Sequence, residues 1–199
     1  AADEIDRNLH IPAVTAFIVH YEPFHGFTTP RMLLGFHVKS KSWLPPGGKV
    51  KPTESFDAAL HREVLEEAGM YVRIYGGESL EDGNDRHFRD EHSEQCCTPI
   101  FVDKHRSPAG PYHLALCYIA KPEESHRLEP YFRHNEEFTE MRWLKLYEIN
   151  SLLAIKPSVR RYCQIAMAAV VQIEDMKHAR RKQSSYVSAT LEADRVNDE

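Results

Sequence analysis

The chain has 199 residues, of which 42% are hydrophobic and 28% charged, with a formal net charge of −5. This length allows one domain with a sizeable core, and the acidic balance gives no reason to expect a general nucleic-acid binder. No apolar run is long enough to cross a membrane, and no signal-peptide hydrophobic region opens the sequence. The four cysteines (Cys96, Cys97, Cys117 and Cys163) lack the spacing of a disulfide framework, so a reducing cytoplasm is the expected compartment.

In chain order, residues 1–10 are polar and read as a flexible lead-in. Val14 to His20 is β-branched and apolar, the composition of a buried strand. Tyr21 to Pro30 carries Pro23, Gly26 and Pro30 and reads as a loop, followed by a second strand over Arg31 to Val38. The chain then turns through Lys39-Ser40-Lys41-Ser42 into Trp43. Two roles are open for Trp43: an exposed ring that stacks on a substrate base, or a wedge that holds the loop against the core.

The next stretch organises the rest. Leu44-Pro45-Pro46-Gly47-Gly48 is a stiff approach followed by a flexible turn, able to bring backbone groups close to an ion or a phosphate. A helix follows, with Pro52 and Thr53 as its expected start and Gly69 as its left-handed stop. Phe56, Leu60 and Val64 form an apolar stripe. Glu63, Glu66 and Glu67 stand at i, i+3 and i+4 and span an arc of about 100° that borders this stripe. Carboxylates this close repel one another unless a cation neutralises them or their pKa values rise. Oxygen-only ligands favour Mg²⁺ or Mn²⁺ over Zn²⁺. A charged surface helix behind a Gly-rich loop is the competing reading of each piece taken alone.

The spacing as a whole is more specific. Gly48, five residues, Glu54, seven residues, then Arg62-Glu63-Val64-Leu65-Glu66-Glu67-Ala68-Gly69-Met70 resembles the Nudix box, with all its fixed and aliphatic positions filled. The resemblance implies an α+β fold (an α/β/α sandwich) with a mixed sheet between helices, over residues 11–155. It implies a hydrolase of phosphoric anhydride bonds that cleaves the diphosphate linkage of a nucleoside diphosphate joined to another group. Nucleoside triphosphates, nucleotide sugars and ADP-ribose all qualify. Carried over residue by residue, it makes Glu66 and Glu67 the principal metal ligands, with Glu63 a ligand or proton acceptor and Gly47 a carbonyl ligand. Arg62 would orient Glu63, Glu54 would steady the helix start, and Gly48 would lie against the substrate. The alternative is a Nudix-fold module that senses a nucleotide without cleaving it. Such proteins typically lose box carboxylates, which are intact here.

Beyond the box, Tyr71 to Tyr75 reads as a short strand and Gly76 to Glu94 as a polar insertion. Within the insertion, Gly83 to Phe88 lacks the Pro or Tyr marker of family members specialised for ADP-ribose or dinucleoside polyphosphates. Strands are expected over Gln95 to Asp103 and Tyr112 to Ala120, the latter carrying His113 near the cleft as a candidate phosphate contact. His87, His92, Cys96 and Cys97 lack zinc-knuckle spacing and read as loop histidines and core thiols.

Further on, Asn135 to Trp143 resembles the loop and strand that supply an extra acid in many Nudix enzymes. Glu137 is the choice for a general base, with Glu136 its neighbour. A strand over Met141 to Lys145 and a short helix over Tyr147 to Leu153 come next. A longer C-terminal helix runs from Pro157 to about Lys182, with Tyr162, Ile165, Ala169 and Ile173 on one face. The basic run Lys177 to Lys182 suits the last turn of that helix. Residues 11–182 thus form one expected domain, and 183–199 a mobile tail. The expected partner is a nucleotide-type small molecule. No membrane partner is expected, and no nucleic acid except a capped or triphosphorylated RNA end. A homodimer is left open.

Overall fold

The computed structural model describes residues 10–21, 29–75, 95–106, 110–123 and 137–197. Two long strands form its axis, β1 (His10–His20) and β7 (Tyr112–Pro122), paired in parallel from His10↔Tyr112 to Ile18↔Ala120. Each long strand shares its outer edge between two shorter partners. Along β1 these are β4 (Gly47–Lys49), paired at Ala13 to Thr15, and β2 (Arg31–His37), paired at Val19 and His20. Along β7 they are β6 (Phe101–Arg106) and β5 (Val72–Ile74). The outer strands β3 (Ser42–Leu44) and β8 (Phe138–Lys145) both pair with β2, completing an eight-stranded mixed sheet. The expected α+β class with a mixed sheet holds.

Alternation along β1 and β7 sends successive side chains to opposite faces. Val14, Ala16, Ile18, Tyr118 and Ala120 pack on the face covered by α1 (Phe56–Ala68), against its buried Leu60 and Val64. Ala13, Phe17, Val19, Ala115, Cys117 and Ile119 pack on the other face. That face is covered by α2 (Leu146–Ser151) and α3 (Pro157–Asn197). Burial on both faces explains why the β1 sequence reads as an unbroken apolar run.

Several expected boundaries move, each for a local reason. The helix of the box starts two residues later than Thr53: Ser55 is the N-cap, its Oγ accepting from Ala58 N. Thr53 instead takes a positive φ of 73° within the turn where Glu54 N donates to Lys51 O. Gly69 does stop the helix, at φ 64° with its N–H on Leu65 O. The strand expected from Gln95 begins only at Phe101, because Cys97 N is taken by the Asp57 side chain (2.8 Å) rather than by a strand.

On α3 the buried stripe is Cys163, Ala166, Met167 and Val170, one step round from the expected face. Residues 162–173 are apolar on nearly every side, so periodicity alone leaves the phase undetermined. The helix continues to Asn197 rather than ending near Lys182. The basic run therefore lies in mid-helix, and complementing a C-terminal dipole does not explain it. One member, Lys177, pairs with Glu174 at 3.6 Å and lies over the Tyr75 ring.

Strand β8 starts three residues earlier than Met141 because the Phe138 ring fills the space above Gly35. A Cβ on Gly35 would come within 2.8 Å of Phe138 Cε1. Gly35→Ala is accordingly expected to lower unfolding free energy by about 1–3 kcal/mol through overpacking. Urea denaturation should show that penalty shrinking in a Phe138→Leu background. An equal penalty in both backgrounds would assign it to strand propensity instead.

Candidate active site

The box loop and α1 meet where β4 lies along β1. Gly47 pairs with Thr15 and Gly48 with Val14, so the two glycines form a short rung of sheet rather than an open loop. Both must be small. A Cβ on Gly47 would run into the Val14 carbonyl, and its φ of 155° lies in the range that favours glycine. A Cβ on Gly48 would sit 2.5 Å from the Glu63 carboxylate. Gly48 is thus the platform on which Glu63 rests.

Arg62 ties the acidic groups together. Its Nε and Nη2 grip Glu54 in a bidentate pair at 2.7 and 3.0 Å, and Nη2 also donates to Lys49 O at 3.0 Å. Its Nη1 donates to Glu63 at 2.6 Å and to Glu66 at 3.1 Å. The guanidinium holds Glu54 well below the usual carboxylate range, at about 2, aided by the Lys51 N–H. Arg62 thus contacts Glu63 and Glu54 directly, the two residues whose positions it is expected to set.

The three box carboxylates differ in environment. Glu67 is only 5% exposed and accepts from Gly47 N at 2.9 Å. Burial pushes its carboxyl up to about 9. The Gly47 N–H opposes that shift, while the charges of Glu137 and Glu63 add to it. Glu63 is raised as well, by burial first, against the pull of Arg62. Glu66 is turned to the surface, its side chain 54% exposed and held by Arg62 and by Lys51 at 3.8 Å.

Glu137 stands just before β8, its carbonyl accepting from Val38 N at 2.7 Å. It acts electrostatically on both Glu63 and Glu67 and hydrogen-bonds with Glu67. The structure therefore brings Glu63, Glu67 and Glu137 together, with Glu66 at their margin. Glu136 lies outside the described residues.

The donor set is oxygen throughout, which fits a hard divalent cation. The buried Glu67 is the strongest indication, since a cation would offset the burial and repulsion that favour its protonated form. Among the described residues no three His, Cys, Asp or Glu side chains stand ready-clustered around one point. Glu66 would have to leave Arg62 and Lys51 to join Glu67. The Gly47 contact seen here is an N–H to Glu67, not a carbonyl contact.

Two expected substrate contacts are placed differently. Trp43 is 7% exposed, packed edge-on to Phe36 with Arg142 over its ring. It is the wedge and not an exposed stacking platform, because its strand pairs with β2 over the α3-side core. His113 lies four residues along β7 from Cys117, which shares the rung of Thr15 and Gly47. That is roughly 13 Å at the rise of a strand. Its neighbours are His105 and Lys49; burial lowers its pKa, and its electrostatic contacts with both neighbours act in the same direction.

Sequence reasoning missed His37. Its Nδ1 accepts from Ser40 N at 3.1 Å, its ring meets Phe138 edge-on, and it feels the charge of Glu137. Only the strand register, with its irregularity between Gly35 and His37, puts it there. His87, His92 and the stretch Gly83 to Phe88 lie outside the described residues.

The Glu67 shift has a sign that can be measured. Folded Glu67 keeps its proton to about 9 and the unfolded chain releases it near 4.5. Its contribution is therefore fully present below the unfolded value and is lost as pH rises through the folded one. Metal-free Glu67→Gln should melt higher than the parent, by a margin that widens from pH 5 to pH 8. Thermal unfolding in EDTA at both values checks this, and a margin independent of pH would count against buried ionisation.

Comparison with known proteins agrees with the fold. The family model for the NUDIX domain matches residues 27–163. A NUDIX-family hydrolase from Clostridium perfringens superimposes with a TM-score of 0.63 at 20% identity, covering 81% of this chain and 99% of its own. A C. elegans Ap4A hydrolase gives 0.57 at 16% identity, covering 81% and 98%. A MutT NUDIX hydrolase from Burkholderia pseudomallei gives 0.52 at 22%, covering 80% and 97%. At these identities the structures speak for the fold, and the family model together with the complete box speaks for more: the chain belongs to the Nudix family of hydrolases that act on pyrophosphate bonds.

Proposed function

We propose that the chain is a metal-dependent pyrophosphohydrolase that cleaves the diphosphate linkage of a nucleoside diphosphate joined to another group. Nucleoside triphosphates, nucleotide sugars and ADP-ribose are the substrate classes. The single observation that carries this reading is the convergence of Glu63, Glu67 and Glu137 beside Gly47 and Gly48, braced by Arg62.

Glu66 and Glu67, with Glu63 and the Gly47 carbonyl, would hold Mg²⁺ or Mn²⁺. When bound, such an ion neutralises diphosphate charge and lowers the pKa of an attacking water. The protein's own contribution is positional. Arg62 and the Gly48 platform fix the Glu63 carboxylate. Glu137, on a different element from α1, takes the proton from the water as general base. Its backbone is pinned by Val38 N, so its side chain is presented from a fixed point. A nucleotide substrate follows from the same reading, and the cysteine pattern favours a reducing, cytoplasmic setting. Among the described residues no helix is long and apolar enough to cross a membrane.

A panel of nucleoside triphosphates, nucleotide sugars and ADP-ribose with Mg²⁺ or Mn²⁺ tests the activity, with ¹⁸O-water locating the broken bond. Tight binding without turnover would favour a nucleotide-sensing module. On the substrate found, Glu137→Gln should lower kcat by about a hundredfold or more with metal affinity nearly intact. If that variant turns over like the parent while Glu63→Gln is dead and still binds metal, the base lies on α1.

A further inference from the structure

A second cluster of metal-ligating side chains stands on the α3 side of the sheet, away from the carboxylates. His105 on β6 and His113 on β7 are directly opposite each other in an antiparallel pair. Their ring centroids are 5.3 Å apart. Two imidazoles bound to one tetrahedral ion at a metal–nitrogen distance of about 2.1 Å have ring centres about 5 Å apart. The cross-strand register thus holds the two rings, edge to face, at a separation that one ion could bridge.

The rest of the cluster fixes the ring of His105. Asp103 Oδ2 lies 2.8 Å from His105 Nδ1. The other oxygen, Oδ1, accepts from the Tyr162 hydroxyl on α3 at 2.9 Å. A carboxylate oxygen accepts, so Nδ1 carries a proton, and Nε2 is the nitrogen that the neutral ring would offer to an ion. A carboxylate behind a histidine in this way is the usual outer partner of a metal-bound imidazole, fixing tautomer and orientation.

We infer that His105 and His113 form a binding site for one borderline divalent transition ion, Zn²⁺ or Cu²⁺, with Asp103 as the positioning residue behind His105. Imidazole nitrogen selects this class over Mg²⁺. The site is roughly 13 Å along β7 from the rung of Gly47, at the rise of a strand, and is separate from the oxygen-lined one. Two protein ligands leave the other positions to water or to a bound small molecule. Lys49, whose charge reaches His113, opposes the cation, and Asp103 offsets it. Affinity well below that of a closed structural zinc site is therefore the expectation.

The test is a Zn²⁺ titration of the full chain followed by long-range ¹H–¹⁵N spectra of the imidazoles, repeated with His105→Gln, His113→Gln and Asp103→Asn. The expected result is a saturable shift of the His105 Nε2 signal and of one His113 nitrogen at one equivalent of zinc. Each histidine substitution should abolish that shift, and Asp103→Asn should weaken binding by about 10–100-fold. The inference is overturned if neither imidazole shifts, or if zinc binds as tightly when either histidine is replaced. Affinity unchanged in Asp103→Asn would remove the role given to Asp103. None of these readouts depends on phosphohydrolase activity.

Discussion

The candidate active site depends on one guanidinium. Arg62 makes hydrogen bonds to Glu54, Glu63, Glu66 and Lys49 O, and so joins the turn before α1, the surface of α1 and strand β4 into one unit. A lysine could not do this, because its point charge lacks the planar fork that holds Glu54 with two parallel bonds while facing two more acceptors. The spacing of the box follows from the same geometry. Glu54 must lie across the first turn of α1 from Arg62, and Glu63 must follow Arg62 directly to share Nη1 and rest on Gly48.

The sheet supplies the complementary constraint. Because β1 divides its outer edge between β4 and β2, the box loop is built into the sheet by three residue pairs. Ala16 N donating to Pro46 O at 2.8 Å continues that edge. Gly47 is therefore fixed on the scaffold, and its N–H can serve as a permanent donor to Glu67. On the opposite side of β2, strand β8 delivers Glu137 to the same place, helped by the Phe138 ring seated over Gly35. The carboxylates come from two elements but share one rigid support, which is what keeps like charges close without a loose loop between them.

The sequence made legible those features that rest on local chemistry. The box helix, its Gly69 stop, the Leu60 and Val64 stripe and the border position of Glu67 all follow from periodicity and capping rules. What was not legible depends on contacts between distant segments. Ser55 rather than Thr53 caps α1 because Thr53 is spent in the Lys51–Glu54 turn. Trp43 is buried because β3 lies over the α3-side core. The stripe of α3 was misphased because small and large apolar residues surround it on every side, and only the docked sheet selects Cys163, Ala166, Met167 and Val170. His37 and the pair His105 and His113 come together through strand register, which no local pattern encodes.

The three carboxylates of the box illustrate how burial, more than residue type, sets the state of an acid. All are glutamates, yet Glu66 is solvated and paired with two cations, Glu63 is half-buried with one, and Glu67 is buried with only a backbone N–H and a neighbouring acid. Desolvation favours the neutral form of a carboxyl, and a like charge beside it does the same. Glu67 is therefore the group whose ionisation the fold opposes most, although it lies at the centre of the cluster. Such an arrangement is costly as pure structure, since an apolar residue of similar size would fill the space with no charge to bury. An acid at that point fits the proposed site, in which a bound cation would offset the charge that the fold alone opposes.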